Sequence, residues 1–94
     1  MKIYWLHKAL HDLDSEADYI AAKNPQAAQR IVMRIAQAIG KLQYNYELGR
    51  VGRITGTREL IVAKTRYIIP YRIRDNRIEI LRIFHTSRKL PQHW

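Results

Sequence analysis

Read from its N-terminus, the chain changes its apolar spacing twice. Ile3-Tyr4-Trp5-Leu6 is a short run of branched and aromatic residues, the kind that fits a strand. From Lys8 the spacing turns helical. Leu10, Leu13, Ala17 and Ile20 recur every three or four residues, with Asp12, Asp14, Glu16 and Asp18 on the other faces. Acids early in such a helix also suit the positive end of its dipole. Asn24-Pro25 marks a break and a restart, with Asn24 as N-cap and Pro25 at the first helical position. Ala28, Ile31, Val32, Ile35, Ala38, Ile39 and Leu42 then make the buried face of a second helix. With a joint of about two residues, the two helices must fold back as an antiparallel hairpin.

Beyond the second helix the helical spacing stops. Tyr44 and Tyr46 are placed to close the helix end over the core, and Gly49, Gly52 and Gly56 punctuate a turn-rich connector. Three strand candidates follow: Arg58–Ala63, Tyr67–Ile73 and Arg77–Phe84, the last two joined at Asp75-Asn76 as a hairpin. Pro70 lies inside the middle run and cannot donate to a ladder. That points to a bulge or to an N–H position facing away from a partner. In the last run Ile78, Ile80, Arg82 and Phe84 share one face, and Glu79, Leu81 and Ile83 the other. Neither face is polar, so one packs on the helices and the other is partly covered by something else. His93 and Trp94, at the end of the chain, are expected to be disordered. The order β-α-α-β-β-β gives an α+β fold over residues 1–94 as one domain: an N-terminal strand, then an antiparallel helical hairpin packed on a small antiparallel β-sheet.

Composition removes several classes of function. The chain has no cysteine, which excludes disulfides and thiolate metal sites and agrees with a cytoplasmic location. No apolar run approaches the ~20 residues of a membrane span, and the N-terminus turns polar too soon for a secretory signal. His7 and His11 are four apart and share a helix face, but no third ligand completes a metal motif. Neither a metal nor another cofactor is expected. The charge is more informative. Residues 1–47 hold six Lys/Arg against five acids, whereas residues 48–94 hold eleven against three, nine of the eleven being arginine. The net charge of +9 therefore sits almost wholly on the part that reads as sheet. Arginine presents a fixed fork of donors suited to phosphate and carboxylate, so the expected partner is anionic: nucleic acid or an acidic protein.

Three stretches of the second half, taken in order, resemble a known family. They are Gly56-Thr57-Arg58-Glu59-Leu60-Ile61-Val62, then Tyr67-Ile68-Ile69-Pro70-Tyr71-Arg72, then Ile78 to Arg88 with His85-Thr86-Ser87-Arg88 and Pro91. With the N-terminal strand and the Asn-Pro joint, this pattern is similar to the RelE/ParE superfamily of toxins from bacterial type II toxin–antitoxin systems. The resemblance covers the whole chain and implies a helical hairpin held on a small antiparallel sheet. It also implies growth inhibition, and neutralisation by a cognate antitoxin whose acidic segment wraps the toxin surface.

The resemblance leaves two chemistries. RelE-like members enter the ribosome and cut messenger RNA; ParE-like members poison DNA gyrase. Cleavage needs a base, an acid and a set of cations around the phosphate. RelE-like enzymes draw those cations from strand lysines and an arginine, and the matching positions here are Glu59, Ile61 and Ile68. If the chain is a ribonuclease, His85 with Arg88 and Arg58 are the catalytic candidates, imidazole as acid or base and guanidinium on phosphate. The plainer alternatives are that His85 caps the strand end and that Arg58 serves an internal ion pair with Glu59. Gyrase poisoning asks only for a binding surface, and the pattern resembles the ParE branch more closely. Arg50, Arg53, Arg72, Arg74, Arg77 and Arg82 are the candidate contacts for target or antitoxin. A third reading, from charge alone, is a non-catalytic nucleic-acid-binding module.

Overall fold

The computed structural model describes residues 1–89 and 91–94. Strand β1 (Lys2–Trp5) leads into helices α1 (His7–Ala21) and α2 (Pro25–Lys41). Strands β2 (Arg50–Val51), β3 (Arg58–Ile61), β4 (Tyr67–Arg74), β5 (Arg77–Ile80) and β6 (Phe84–His85) follow. The helical joint is built as its sequence indicates. Asn24 Oδ1 accepts from the backbone N–H of Ala27 at 3.1 Å, and Pro25 occupies the first turn. Helix α1 begins at His7 with no acid in its first turn, so Asp12 and Asp14 lie too far along it to meet the dipole.

Five strands run in the order β1-β5-β4-β3-β2, and β6 pairs with β4 off this path. From β2 to β6 every pair is antiparallel, as expected, but β1 lies parallel to β5 with Ile3 opposite Ile78. Apolar patterning reports that Ile3-Tyr4-Trp5 is a strand and is silent on its direction. The sheet is therefore mixed. The connector read as turns also supplies an edge strand, β2, whose Arg50 lies opposite Glu59.

The last strand run is broken. Tyr71 is opposite Ile80 while Ile68 is opposite Phe84, so residues 81–83 bulge against 69–70. Leu81 N–H donates to the Pro70 carbonyl at 2.9 Å. In a strand the N–H and C=O of one residue point the same way, so the donor that Pro70 lacks faces the bulge. The bulge also reverses the faces beyond it: Phe84 joins Ile68 on one side and His85 joins Tyr67 on the other. Asp75 and Asn76, at φ 52° and 58°, make the tight hairpin turn in which both central residues are left-handed.

Ala9, Ile35, Ile39 and Leu42 of the helical hairpin meet Leu60, Val62, Tyr67, Ile69, Tyr71, Ile78 and Ile80 of the sheet in one buried cluster. The opposite sheet face also has buried residues, Ile68, Pro70 and Leu81. Trp94 is half-buried there, edge-on to Phe84 at 5.4 Å and beside Leu81, rather than disordered. The connector is clasped by Tyr71, whose hydroxyl accepts from Gly49 N–H and donates to the Tyr46 carbonyl, each at 2.8 Å. A side chain at Gly49 would lie within 2.9 Å of Tyr71 and of the Glu59 carbonyl, so the approach requires glycine. Tyr44, expected over the core, stands 89% exposed; Tyr46 acts through its backbone.

Candidate functional site

The bulge after β5 decides where the chemistry lies, because it turns His85 toward the helices. There the His85 ring meets Tyr67 edge-on at 5.0 Å. The Tyr67 hydroxyl donates to Glu16 Oε1 at 2.7 Å, and Arg88 Nη1 donates to Glu16 Oε2 at 2.8 Å. Burial, and then the bond to Glu16, push the Tyr67 hydroxyl far above its ordinary pKa, so it stays a donor. The hydrogen bond to Glu16 likewise raises Arg88. His85 Nδ1 accepts from Ser87 N–H at 3.2 Å and lies 2.6 Å from Ser87 Oγ. A backbone N–H can only donate, so Nδ1 is the acceptor and the neutral ring carries its proton on Nε2. These groups line a cleft of about 650 Å³ between the hairpin and the sheet. Ile20, Ala27 and Ile31 form its apolar wall, and Lys64 and Arg66 of the β3–β4 turn its cationic rim.

His85 and Arg88 are thus brought together, and Arg58 is not. Arg58 lies opposite Tyr71, toward the other end of β4, and donates to the carbonyls of Gly49 (2.8 Å) and Glu47 (3.3 Å). Its carboxylate partner is Glu47 at 3.6 Å, and the pairing with adjacent Glu59 does not form. Glu59 turns instead to the connector. Only 1% exposed, it accepts from Arg50 Nη2, from Arg53 Nε and Nη2, and from the Arg53 backbone N–H, over 2.8–3.1 Å. Burial alone would raise its pKa; the Arg53 and Arg50 hydrogen bonds override that and hold it at about 2. Of the other two positions where RelE-like enzymes keep cations, Ile68 is buried and Ile61 is exposed. No phosphate cage can be assembled from these three.

The remaining sheet arginines are similarly engaged. Arg72, Arg74 and Arg77 surround Glu79 at 2.6, 3.8 and 3.4 Å, and Arg77 also stacks over Tyr4 at 5.0 Å. Arg72 foremost keeps the Glu79 carboxyl below its usual range. Arg82 binds Asp12 through Nε (2.7 Å) and Nη2 (3.0 Å), and Asp12 Oδ2 also accepts from Ile83 N–H at 3.0 Å. All six arginines proposed as contact residues (Arg50, Arg53, Arg72, Arg74, Arg77 and Arg82) therefore hold an internal carboxylate. Sequence reasoning missed Glu16 and Asp12 by treating them as outward-facing polar residues. Their four-residue spacing beside Ala9 and Leu13, on the flank of the buried stripe, was the available signal. Among the described residues no three His, Cys, Asp or Glu side chains converge as a metal site. No helix among them is long and apolar enough to cross a membrane.

Comparison with known proteins agrees with this architecture. The family model for the ParE toxin of the type II toxin–antitoxin system parDE matches residues 3–90. A relative from Sinorhizobium fredii, named "Putative toxin Y4kP", is 44% identical over 97% of this chain and 94% of its own length. Toxin RelE2 of Caulobacter vibrioides is 38% identical over 93% of this chain and 97% of its own. A solved structure of the chromosomal ParDE system from P. aeruginosa superposes with a TM-score of 0.83 at 31% identity, covering 90% of this chain and 95% of that one. The mixed sheet under a helical hairpin, the extent of the family match and these relatives together place the chain in the ParE toxin family of the RelE/ParE superfamily, as the toxin of a type II toxin–antitoxin system.

Proposed function

We propose that this toxin stops growth in the cytoplasm by binding DNA gyrase, without cutting RNA, and that an acidic, wrapping segment of its antitoxin holds it inactive. The observation that carries this reading is the fate of the strand-cation positions. Glu59 is a buried acid saturated by two arginines, Ile68 is in the packed sheet and Ile61 is apolar. A surface-binding inhibitor needs no acid–base set, and the family model and the solved relative both lie on the ParE side. Inducing the chain in bacteria and timing the arrest tests this. DNA replication should fail first, with gyrase-dependent breaks and filamentation; early translation arrest with shortened messages would sink it.

One arrangement favours a second reading, a ribosome-dependent ribonuclease: His85, Arg88, Lys64 and Arg66 line a single cleft. Its weakness is chemical. Arg88 is tied to Glu16, the Glu16 carboxylate is taken up by Arg88 and Tyr67, and His85 Nδ1 is held by Ser87, leaving one imidazole nitrogen beside a Tyr67 hydroxyl that burial and Glu16 push far above its ordinary pKa. His85→Ala separates the two: a ribonuclease loses its toxicity, a gyrase binder keeps it.

A further inference from the structure

Eight of the nine arginines after residue 47 are paired with carboxylates: Arg50, Arg53, Arg58, Arg72, Arg74, Arg77, Arg82 and Arg88. The charge available to a partner is therefore not where the sequence concentrates it. Of the cations without a carboxylate partner among the described residues, Lys2, Lys8, Lys23 and Lys89 are scattered, whereas Arg30, Arg34, Lys41, Lys64 and Arg66 lie on the flank of α2 and on the β3–β4 turn. Arg30, Arg34 and Lys41 fall at helical spacing on one side of α2, with Gln37 in the same row. Arg34, Gln37 and Lys41 face Lys64 across a groove of about 310 Å³. Lys64 also borders the larger cleft, whose rim continues through Arg66 to Arg88. Lys64 thus joins two concavities into one continuous cationic track.

The turn that carries Lys64 and Arg66 is braced. Lys64 adopts φ 63°, a left-handed conformation that non-glycine residues rarely take. Thr65 Oγ1 donates to the Val62 carbonyl at 2.8 Å and accepts from Tyr67 N–H at 3.1 Å. Thr86 N–H donates to the Arg66 carbonyl at 2.8 Å, pinning the segment after β6 to the same turn. The positive side chains are held out on a fixed backbone.

We infer that this track, made by Arg30, Arg34, Lys41, Lys64 and Arg66, binds the phosphate backbone of a nucleic acid. Two properties favour that partner over an acidic protein. A protein partner needs apolar anchors; the groove along α2, where Arg34, Lys41 and Lys64 meet, offers only Ala38 and Ala63 beside buried Val62, and the apolar wall of Ile20, Ala27 and Ile31 belongs to the larger cleft beyond Lys64. Backbone contact with nucleic acid needs only a row of cations and polar groups such as Gln37. Among the described residues no carboxylate pairs with the five track cations, unlike the Glu59 and Glu79 clusters, and Glu16 at the floor of the larger cleft is taken up by Arg88 and Tyr67. The inference does not depend on gyrase as the target.

Fluorescence anisotropy with labelled duplex DNA, single-stranded DNA and RNA of one sequence, titrated with the full chain, tests it. Duplex binding through four or five phosphates should weaken more than about a hundredfold between 50 and 200 mM salt, a log–log slope of about −4. The variant Arg34→Gln/Lys41→Gln/Lys64→Gln/Arg66→Gln should bind at least about tenfold more weakly at low salt, with the slope reduced to about −1. Circular dichroism confirms that it remains folded. Arg72→Gln/Arg74→Gln, on the carboxylate-bearing face, should change binding less than about twofold. The tightest of the three probes identifies the backbone as DNA or RNA. Unchanged binding by the fourfold variant, an equal loss in the Arg72/Arg74 variant, or no binding of any probe while a glutamate-rich peptide binds the same track would each overturn the inference.

Discussion

Tyr67 and Tyr71 lie four residues apart on one face of β4, both buried and both hydrogen-bonded, yet they do different work. Tyr71 closes on backbone: Gly49 N–H and the Tyr46 carbonyl meet on its hydroxyl, and Glu59 gathers Arg50 and Arg53 of the same connector from the other sheet face. Tyr67 closes on a side chain, Glu16, which is shared with Arg88 at the floor of an open cleft. One end of the strand is fastened through main-chain groups that have no substitute partner. The other is held through a carboxylate that keeps Arg88 if Tyr67 is lost. A fold-determining contact and a site-forming contact can therefore have the same residue type, burial and spacing.

Substitutions at the two ends test that division. Gly49→Ala should be the most damaging, by about 3 kcal/mol, because its methyl would press on both the Tyr71 ring and the Glu59 carbonyl. Urea denaturation measures it. Tyr71→Phe, which strands a buried N–H and frees the Tyr46 carbonyl, should cost about 2–3 kcal/mol in the same assay. Glu59→Gln should cost about 2 kcal/mol at neutral pH by leaving two guanidinium groups without their anion. Its pH dependence is the sharper readout. The folded pKa of Glu59, about 2, lies below its ordinary 4.5, so its stabilisation is complete above pH 4.5 and disappears as pH falls toward 2. The difference in Tm between wild type and Glu59→Gln should shrink over that interval. Tyr67→Phe should cost only about 1 kcal/mol, since Glu16 keeps Arg88; a loss equal to that of Tyr71→Phe would erase the distinction. His85→Ala should leave growth arrest unchanged in an induction assay, the smallest effect of the series.

How much of this was legible in the sequence depends on which interactions are local. The helical hairpin, its Asn24-Pro25 joint and the Asp75-Asn76 turn were readable, because each is set by propensity and capping within a few residues. The parallel direction of β1 and the edge strand β2 were not, because both arise from pairing with distant partners. Pro70 signalled a bulge, but only the register on both sides shows that Phe84 and His85 change faces. The candidate site was half legible for the same reason. His85 and Arg88 share a local segment and line one cleft; Arg58, named with them as a candidate, lies at the other end of β4. The arginine count was accurate and its meaning was not. Counting charges cannot tell a cation held by Glu79 or Asp12 from Arg34 or Lys64, which have no such partner.

The parallel pair of β1 and β5 has a consequence for the order in which the chain can fold. Ile3 waits for Ile78, and Asp12 of α1 waits for Arg82 and Ile83, so the first strand and first helix leave the ribosome long before their partners exist. The α1–α2 hairpin and the β4–β5 hairpin are local, whereas the seam between β1 and β5 joins segments far apart in the sequence and carries the larger loop-closure cost. Until it closes, Ile3, Trp5 and Ala9 have no sheet to cover them. During synthesis the N-terminal edge can be paired only once residues 77–83 have been made, so the first strand and helix are the part of the toxin exposed longest before their cover exists.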